Sequence, residues 1–298
     1  MKNKTSYIII GLLIIASFLL GSIWTKIRIT EQPKDQATEQ KKEVLGEEEK
    51  AFAAPKKKTP EVKFFVMSFC PYGNQAEAGL KPVAELLGNK VSWQPRYIVS
   101  EAKEACEARC ANSVYDEKQC QQLVDNGQIS DMDTCKKYFP YKDKETCLKE
   151  KCAEIKEGEY VSLHGEQELN QDVREICAWN IGDSKKWWSF VDKVNKNCSS
   201  SNADTCWEKQ AKQAGLDVAK IKDCQKNQVS SLLVKEIKET EKYSASGSPM
   251  VFINDKLYDG GRAPEDYKKA ICAGFEKVPA ECEKVLGTAS QGAAGGCQ

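Results

Sequence analysis

The stretch around residue 70 constrains the fold of this chain more than any other feature of its sequence. Residues 62–69 form an apolar run, partly β-branched and aromatic, which predicts a buried β-strand. Cys70 follows directly, Pro71 is typical of the first turn of a helix, and the apolar spacing of residues 74–87 predicts that helix. Because backbone N–H groups and the helix dipole stabilise a thiolate there, Cys70 is predicted to be a reactive cysteine within reach of client chains. The alternative is a buried structural cysteine at the end of the strand.

Cysteine usage indicates the compartment in which the chain folds. The sequence holds fourteen cysteines and one histidine, which favours disulfides over zinc and a compartment outside the reducing cytosol. A zinc site would depend on Cys106-x3-Cys110 and Cys147-x4-Cys152, and neither has the Cys-x2-Cys spacing of common zinc sites. We therefore predict no metal ligand and no cofactor. The candidates for structural disulfides are Cys106, Cys110, Cys120, Cys135, Cys147, Cys152, Cys177, Cys198, Cys206, Cys224, Cys272 and Cys282.

The N-terminus predicts a membrane anchor. After a stub of residues 1–6, residues 7–24 form an uncharged run that is just long enough to span a bilayer. Flanking positive charges are nearly balanced, so the cysteines decide the orientation: they favour an extracytoplasmic domain, periplasmic or at the cell surface. We predict an uncleaved signal-anchor helix, with a cleaved signal peptide as the alternative. Residues 25–60 are rich in Lys, Glu, Gln and Pro and are predicted to be a disordered linker.

The order of elements after the linker indicates one α/β domain over residues 61–287. Residues 90–99 predict a second strand, and strand–helix–strand predicts a parallel pair. Residues 101–157 are cysteine-rich and poor in apolar residues, so we predict a helical insertion in which disulfides cross-link two helices side by side. A second helical insertion covers residues 164–243 and places Trp187 and Trp188 in the core. Its predicted helices are 165–179, 184–197, 205–214, 218–227 and 230–243.

The C-terminal part of the domain predicts a hairpin followed by a helix. A turn-rich break precedes a strand over residues 250–254, and the turn at 254–256 returns the chain along 256–259. A helix over 263–275 and a short helix around 280–286 follow. Residues 288–298 are predicted to be a flexible tail that contains Cys297.

Three motifs occur in an informative order. They are Phe-Cys70-Pro71-Tyr72-Gly73, then His164-Gly165-x-x-Glu168 with a later Cys177, then Ser248-Pro249 before an apolar strand. In this order they resemble the DsbA-like thiol–disulfide oxidoreductases, most of all the branch that contains the gamma-interferon-inducible lysosomal thiol reductase. The segment from Cys272 to Cys282 is also similar to the thioredoxin-like lumenal region of plant vacuolar sorting receptors, a non-enzymatic relative. The resemblance implies an α/β thioredoxin fold with helical insertions, here preceded by a transmembrane helix.

The chain departs from this pattern at the residues that matter for catalysis. Gly73 stands where the family has its second active-site cysteine, and Ser162 and Leu169 replace two cysteines of the reductase's signature. His164 is therefore predicted to be a structural residue at a helix start. A cis peptide at Ser248–Pro249, which the resemblance implies, would place backbone near Cys70 where an extended substrate segment could pair with it.

The missing second cysteine leaves the resolving step open. Dithiol oxidoreductases need one thiolate to attack a substrate disulfide and a second thiol to resolve the mixed disulfide. Either Cys70 acts alone, with a small thiol or a partner protein resolving, or Cys297 resolves from the tail. A purely structural pairing of Cys297 is equally open.

These features predict a membrane-anchored extracytoplasmic thiol–disulfide oxidoreductase or isomerase that acts on protein cysteines through Cys70. A membrane quinone-linked oxidase is a candidate redox partner. Lys and Arg total 44, as do Asp and Glu, so nothing attracts nucleic acid. The alternative is a redox-inert thioredoxin-fold module that binds proteins, which Gly73 and the receptor-like C-terminal segment favour.

Overall fold

The computed structural model describes residues 52–288 and Cys297. The predicted stub, the predicted anchor at residues 7–24 and most of the predicted linker lie outside the described residues. Among the helices that the structure describes, none has both the length and the apolar character needed to cross a bilayer.

A four-stranded sheet organises the domain. Its strands are β1 (Glu61–Val66), β2 (Ser92–Tyr97), β5 (Met250–Ile253) and β6 (Lys256–Tyr258), in the spatial order β2-β1-β5-β6. β1 pairs in parallel with β2 and antiparallel with β5, and β5 forms a hairpin with β6. Helix α1 (Pro71–Leu87) connects the parallel pair, and helix α10 (Pro264–Ala273) follows the hairpin. This arrangement confirms the predicted α/β thioredoxin fold.

The centre of the core explains why β1 is mostly apolar, with Val62 and the run Phe64–Val66. Val62, Phe64 and Val66 are fully buried on one face of β1, and Phe65 is fully buried in a second cluster on the other face. A strand covered on both faces has no reason to alternate polar and apolar residues. Trp187 and Trp188 pack against Phe64, so the tryptophan pair lies in the core as predicted.

The first insertion is a set of four short helices. They are α2 (Ala102–Ala111), α3 (Glu117–Asp125), α4 (Met132–Tyr138) and α5 (Lys144–Lys151), enclosed by the paired strands β3 (Ser100–Glu101) and β4 (Tyr160–Val161). Two disulfides, Cys106–Cys152 and Cys110–Cys147, join α2 to the region of α5, which is the side-by-side cross-link that the spacing predicts. A third disulfide, Cys120–Cys135, joins α3 to α4. Disulfides thus replace a large core in this insertion.

The second insertion differs from the prediction in one helix. Its helices are α6 (Glu166–Asn180), α7 (Ser184–Asn197), α8 (Ala203–Gln213) and α9 (Val218–Tyr243). The predicted helices over 218–227 and 230–243 are one continuous helix, because no Gly or Pro interrupts the chain and Leu232 and Leu233 continue its buried face. Cys177–Cys224 ties α6 to α9, and Cys198–Cys206 closes the α7–α8 connection.

Smaller corrections concern the edges of the domain. Residues 52–60 of the predicted linker already lie against the domain: the ring of Phe52 contacts that of Tyr258, and Lys57 N donates to Gly274 O at 2.9 Å. The short helix predicted around residues 280–286 is a 3-10 turn at Ala280–Glu283. The disulfide Cys272–Cys282 ties that turn to α10.

Candidate active site

Cys70 lies at the junction between β1 and α1. It is the N-cap residue of α1, its backbone is extended, and Pro71 occupies the first turn of the helix. Gly73 N donates a hydrogen bond to Cys70 Sγ at 3.4 Å, so the sulfur faces the N-terminus of the helix. This is the local arrangement that lowers the pKa of a free thiol.

The partner of Cys70 is Cys297. Their sulfur atoms form a disulfide across 227 residues of sequence, with the Cα atoms 6.0 Å apart. Cys70 is fully buried in this state while Cys297 is partly exposed. The structure therefore holds Cys70 in a disulfide and covered by Cys297, whereas the sequence predicts an accessible thiolate.

The backbone of Cys297 is also held in place. Ser248 N donates to Cys297 O, and Cys297 N donates to Ser248 O, both at 2.8 Å, in an antiparallel bridge. The Ser248–Pro249 peptide bond is cis, and Ser248 O lies 3.4 Å from Cys70 Sγ. Cys297 thus occupies the backbone position beside Ser248 where the sequence analysis expects an extended substrate segment.

Gly73 has a steric reason to lack a side chain. A Cβ atom at this position would lie 2.6 Å from Ser248 Oγ, far inside normal contact. Ser248 Oγ is not free to move, because it accepts a hydrogen bond from Met67 N at 3.1 Å in a buried setting. A cysteine at position 73 would therefore disturb Ser248, which is the residue that holds Cys297.

We expect Gly73→Ala to lower the free energy of unfolding by about 1–3 kcal/mol, the usual cost of overpacking a buried site. Denaturant titration measures the loss. The control is Ser248→Ala, alone and combined with Gly73→Ala: without the hydroxyl there is no collision, so the double variant should lose less than the sum of the single variants. Additive losses would contradict the steric explanation.

Side chains of helix α6 bind the turn that ends at Cys70 (residues 67–70), which we call the Cys70 turn. Asp172 Oδ1 accepts hydrogen bonds from Ser68 N at 3.0 Å and Ser68 Oγ at 2.6 Å. Glu168 Oε1 accepts one from Phe69 N at 2.9 Å. Because Glu168 and Asp172 are four residues apart, they share one face of the helix, and both side chains are fully buried.

His164 completes this arrangement. Its Nδ1 atom lies 2.7 Å from Glu168 Oε1, and its backbone N donates to Glu168 Oε2 at 2.8 Å. Ser162 Oγ also donates to Glu168 Oε2 at 2.8 Å. His164 is therefore more than the helix-start residue that the sequence predicts, since its ring bonds the carboxylate that holds Phe69.

Burial and hydrogen bonds give these acids different pKa values. Burial acts to raise the pKa of Glu168, but hydrogen bonds from His164 and Ser162 outweigh it and hold the pKa below its ordinary value. Burial and the nearby charge of Glu168 raise the pKa of Asp172 well above its usual range. Its hydrogen bond to Glu168 raises the pKa of His164. These shifts favour the ionised form of Glu168 beside the protonated form of Asp172.

The structure brings together some of the sequence-predicted residues and not others. Cys70, Ser248, Pro249 and Cys297 form the site; Pro71 is exposed, and the ring of Tyr72 lies 5.9 Å from the guanidinium carbon of Arg262. All twelve structural candidates are paired away from it, in the six disulfides described above.

Sequence reasoning missed the role of the α6 acids. One feature of the sequence indicates them: the spacing of Glu168, Asp172 and Glu175 puts three acids on one face of a helix that is buried in the core.

Comparison with known proteins identifies the family of this chain. Residues 68–272 match the family model described as the vacuolar sorting receptor thioredoxin-like domain. Vacuolar-sorting receptor 1 of Pisum sativum is 24% identical over 155 residues, covering 43% of this chain and 25% of that protein. Vacuolar-sorting receptor 7 of Arabidopsis thaliana is 27% identical over 135 residues, covering 40% of this chain and 22% of that protein. The chain thus spans about a quarter of the length of these relatives.

Solved structures of similar shape include two bacterial proteins. One is DsbA of Mycobacterium tuberculosis in its reduced form, 12% identical, with a TM-score of 0.43, covering 77% of this chain and 91% of that chain. The other is oxidised BdbD of Bacillus subtilis, 12% identical, with a TM-score of 0.41, covering 74% of this chain and 89% of that chain. The family assignment comes from the sequence model, which includes both Cys70 and the cis-proline segment. The chain belongs to the family of the vacuolar sorting receptor thioredoxin-like domain.

Proposed function

We propose that this protein exchanges thiols and disulfides of other proteins through the pair Cys70 and Cys297. One observation carries the proposal: Cys297 is bonded to Cys70 at a helix N-terminus while its backbone pairs with Ser248 beside a cis-proline. A disulfide that only stabilises the fold does not need this second anchor. The arrangement is that of a substrate cysteine joined to the enzyme, supplied here by the chain itself.

The reaction follows from the two sulfur atoms. In the reduced form, the Cys70 thiolate attacks one sulfur of a client disulfide, forms a mixed disulfide and releases the other client sulfur as a thiolate. The Cys297 thiolate then attacks Cys70 Sγ and expels the client's remaining sulfur as a thiolate. Two electrons pass from the Cys70/Cys297 dithiol to the client disulfide, and the Cys70–Cys297 disulfide is the product. The reverse sequence oxidises a client dithiol.

The test is Cys70→Ser, assayed for reduction of insulin and for refolding of a scrambled disulfide protein. We expect both rates to fall to the uncatalysed level. The matched control is the double change Cys198→Ser and Cys206→Ser, which removes a disulfide that closes a short loop away from the site and should keep full activity. Unchanged rates in Cys70→Ser would remove the proposal.

Cellular placement and partners extend the same proposal. Seven disulfides among the described residues support an oxidising, extracytoplasmic compartment. Three finer proposals rest on the sequence alone. They are anchoring by residues 7–24, isomerase activity, and regeneration by a membrane quinone-linked oxidase. The kinship with the gamma-interferon-inducible lysosomal thiol reductase branch is a further one. It is supported by the hydrogen bond from Phe69 N to Glu168 Oε1 and by the contact of His164 Nδ1 with the same oxygen atom.

A second function, a redox-inert module that binds proteins, has two observations in its favour. The Cys70 sulfur is fully buried under Cys297, and the matching family is that of a receptor domain. Under this function the Cys70–Cys297 disulfide is permanent and resists reduction by dithiols that reduce insulin. Retention of this disulfide in a redox buffer that reduces insulin would favour the binding module.

A further inference from the structure

The Cys70 turn is held by side chains from distant parts of the fold. Met67 N donates to Ser248 Oγ, Ser68 N to Asp172 Oδ1 and Phe69 N to Glu168 Oε1. Three consecutive backbone N–H groups are therefore fixed from outside the turn. The position of the Cys70 sulfur depends on these acceptors, because a hydrogen-bonded turn of four residues leaves its last residue little freedom.

Glu168 is the charged acceptor among these three side chains. Its two oxygen atoms accept from Phe69 N, Ser162 Oγ and His164 N, and they contact His164 Nδ1, so each oxygen has two partners. A buried carboxylate with this many donors is stable as an anion. His164 is the group that balances this anion, and about a third of its side chain is exposed, so it can exchange a proton with solvent.

The other titratable groups around Glu168 are acids or a phenol. Asp172 and Glu175 lie on the same helix, Glu77 faces them from α1, and Tyr97 on β2 donates to Glu175 Oε2. Burial favours the neutral form of Asp172, Glu77 and Tyr97. The pair His164 and Glu168 is thus where a change of protonation meets the backbone of the Cys70 turn.

We propose that His164 and Glu168 form a redox-linked proton site that positions the Cys70 turn and binds a proton more tightly when Cys70 is a free thiolate than when it is in the disulfide. The proposal rests on the function proposed above. The physical basis is the short path from His164 through Glu168 and the Phe69 N–H to Cys70, since Phe69 and Cys70 are neighbours in the chain. A negative sulfur favours the positive imidazolium, and the imidazolium in turn favours the thiolate.

The composition of the chain makes the measurement direct. His164 is the single histidine of the sequence, so its ring protons titrate alone in an NMR spectrum. The comparison uses Cys297→Ser, which frees Cys70 and leaves the other six disulfides, against Cys70→Ser combined with Cys297→Ser, which has a neutral hydroxyl instead. We expect the pKa of His164 to be about one unit higher with the Cys70 thiolate than with the serine, as for unit charges about 10 Å apart at an effective dielectric constant of about 20.

A second measurement uses the reciprocal effect. The pKa of Cys70 in Cys297→Ser, followed by alkylation rate against pH, should rise by the same amount when His164→Gln is added. A histidine that only supports the fold would change the stability of the protein but not this pKa. Circular dichroism and thermal unfolding show whether the His164→Gln variant remains folded.

Two results would overturn the coupling between His164 and Cys70. Equal His164 pKa values in the two variants, with Cys70 already ionised at neutral pH, would overturn the coupling and leave the exchange reaction intact. A Cys70 thiol that ionises only above pH ~8.5, its ordinary value, would overturn the coupling and also the activation of Cys70 by the helix N-terminus.

Discussion

A variant in which serine replaces Cys297 is expected to accumulate covalent complexes with its clients instead of turning over. Cys70 still attacks a client disulfide, because its place at the N-terminus of α1 is unchanged. The second step fails, because Gly73 offers no thiol and the other twelve cysteines are held in disulfides away from the site. Non-reducing electrophoresis and mass spectrometry of the alkylated protein should show nearly one client per Cys70, released by dithiothreitol.

Two controls sharpen this result. The combined change Cys70→Ser and Cys297→Ser should trap nothing, which separates attack by Cys70 from adventitious disulfide formation. In a single turnover of the reduced proteins, with purified client and no small thiol present, release of reduced client by Cys297→Ser at the rate of the unchanged protein would show that Cys297 is not the resolving thiol. Recovery of turnover only on adding glutathione would instead show that an external thiol can replace Cys297.

The geometry of the trapped client can be tested with the same variant. Cys297 exchanges both backbone hydrogen bonds with Ser248, so a client cysteine in its place should do likewise. A short cysteine peptide, activated as a mixed disulfide and N-methylated at its cysteine, loses the N–H that donates to Ser248 O. We expect it to react about tenfold more slowly, the effect of one hydrogen bond of about 1.4 kcal/mol. Methylation of the next residue is the matched control, because in an antiparallel pair that N–H points away from Ser248.

The local part of the site was predictable because its signals are short-range. A buried strand, a cysteine and a proline in succession predict the β1–α1 junction, and the structure has it, with α1 beginning at Pro71. The spacing of Cys106 and Cys110 likewise predicts two cysteines on one helix face, and the observed disulfides join that face to Cys147 and Cys152. In each case the residues that interact are placed by one helix or one turn.

The rest of the site depends on contacts that no local pattern encodes. Cys70 and Cys297 are 227 residues apart, so the sequence offers their pairing only as one of several alternatives, and no local pattern selects it. The role of Gly73 is visible only once Ser248 Oγ is known to lie where its side chain would be. Glu168 and Asp172 were missed for a different reason: their spacing on one helix face is visible in the sequence, but acidic residues are usually exposed, and the tertiary fold is needed to show that these two are buried against the Cys70 turn.

The buried acids also predict how the stability of the domain changes with pH. Burial raises the pKa of Glu175 from 4.5 to about 7, and it raises those of Asp172 and Glu77 as well. Between pH 4.5 and 7 the folded form keeps a proton on Glu175 that the unfolded chain has released, so the free energy of unfolding must fall as pH rises through this range. The expected fall from Glu175 alone is about 3 kcal/mol. Denaturant titrations at a series of pH values measure it.

The opposite limb of the curve comes from Glu168, whose pKa is held below its ordinary value. The stability that it contributes is lost as pH falls through its folded pKa, so the maximum of stability should lie on the acid side of neutrality. Glu175→Gln is the matched control for the neutral limb. Its amide can replace the protonated acid, because Glu175 accepts from Tyr97 Oη and Gln171 Nε2, and the unpartnered Gln171 Oε1 can receive the new N–H after an amide flip. In the variant, the free energy of unfolding should depend less on pH between 4.5 and 7, with a slope that is smaller by the equivalent of about one proton. A wild-type free energy of unfolding that instead rises across this range would show that Glu175 is ionised in the folded protein.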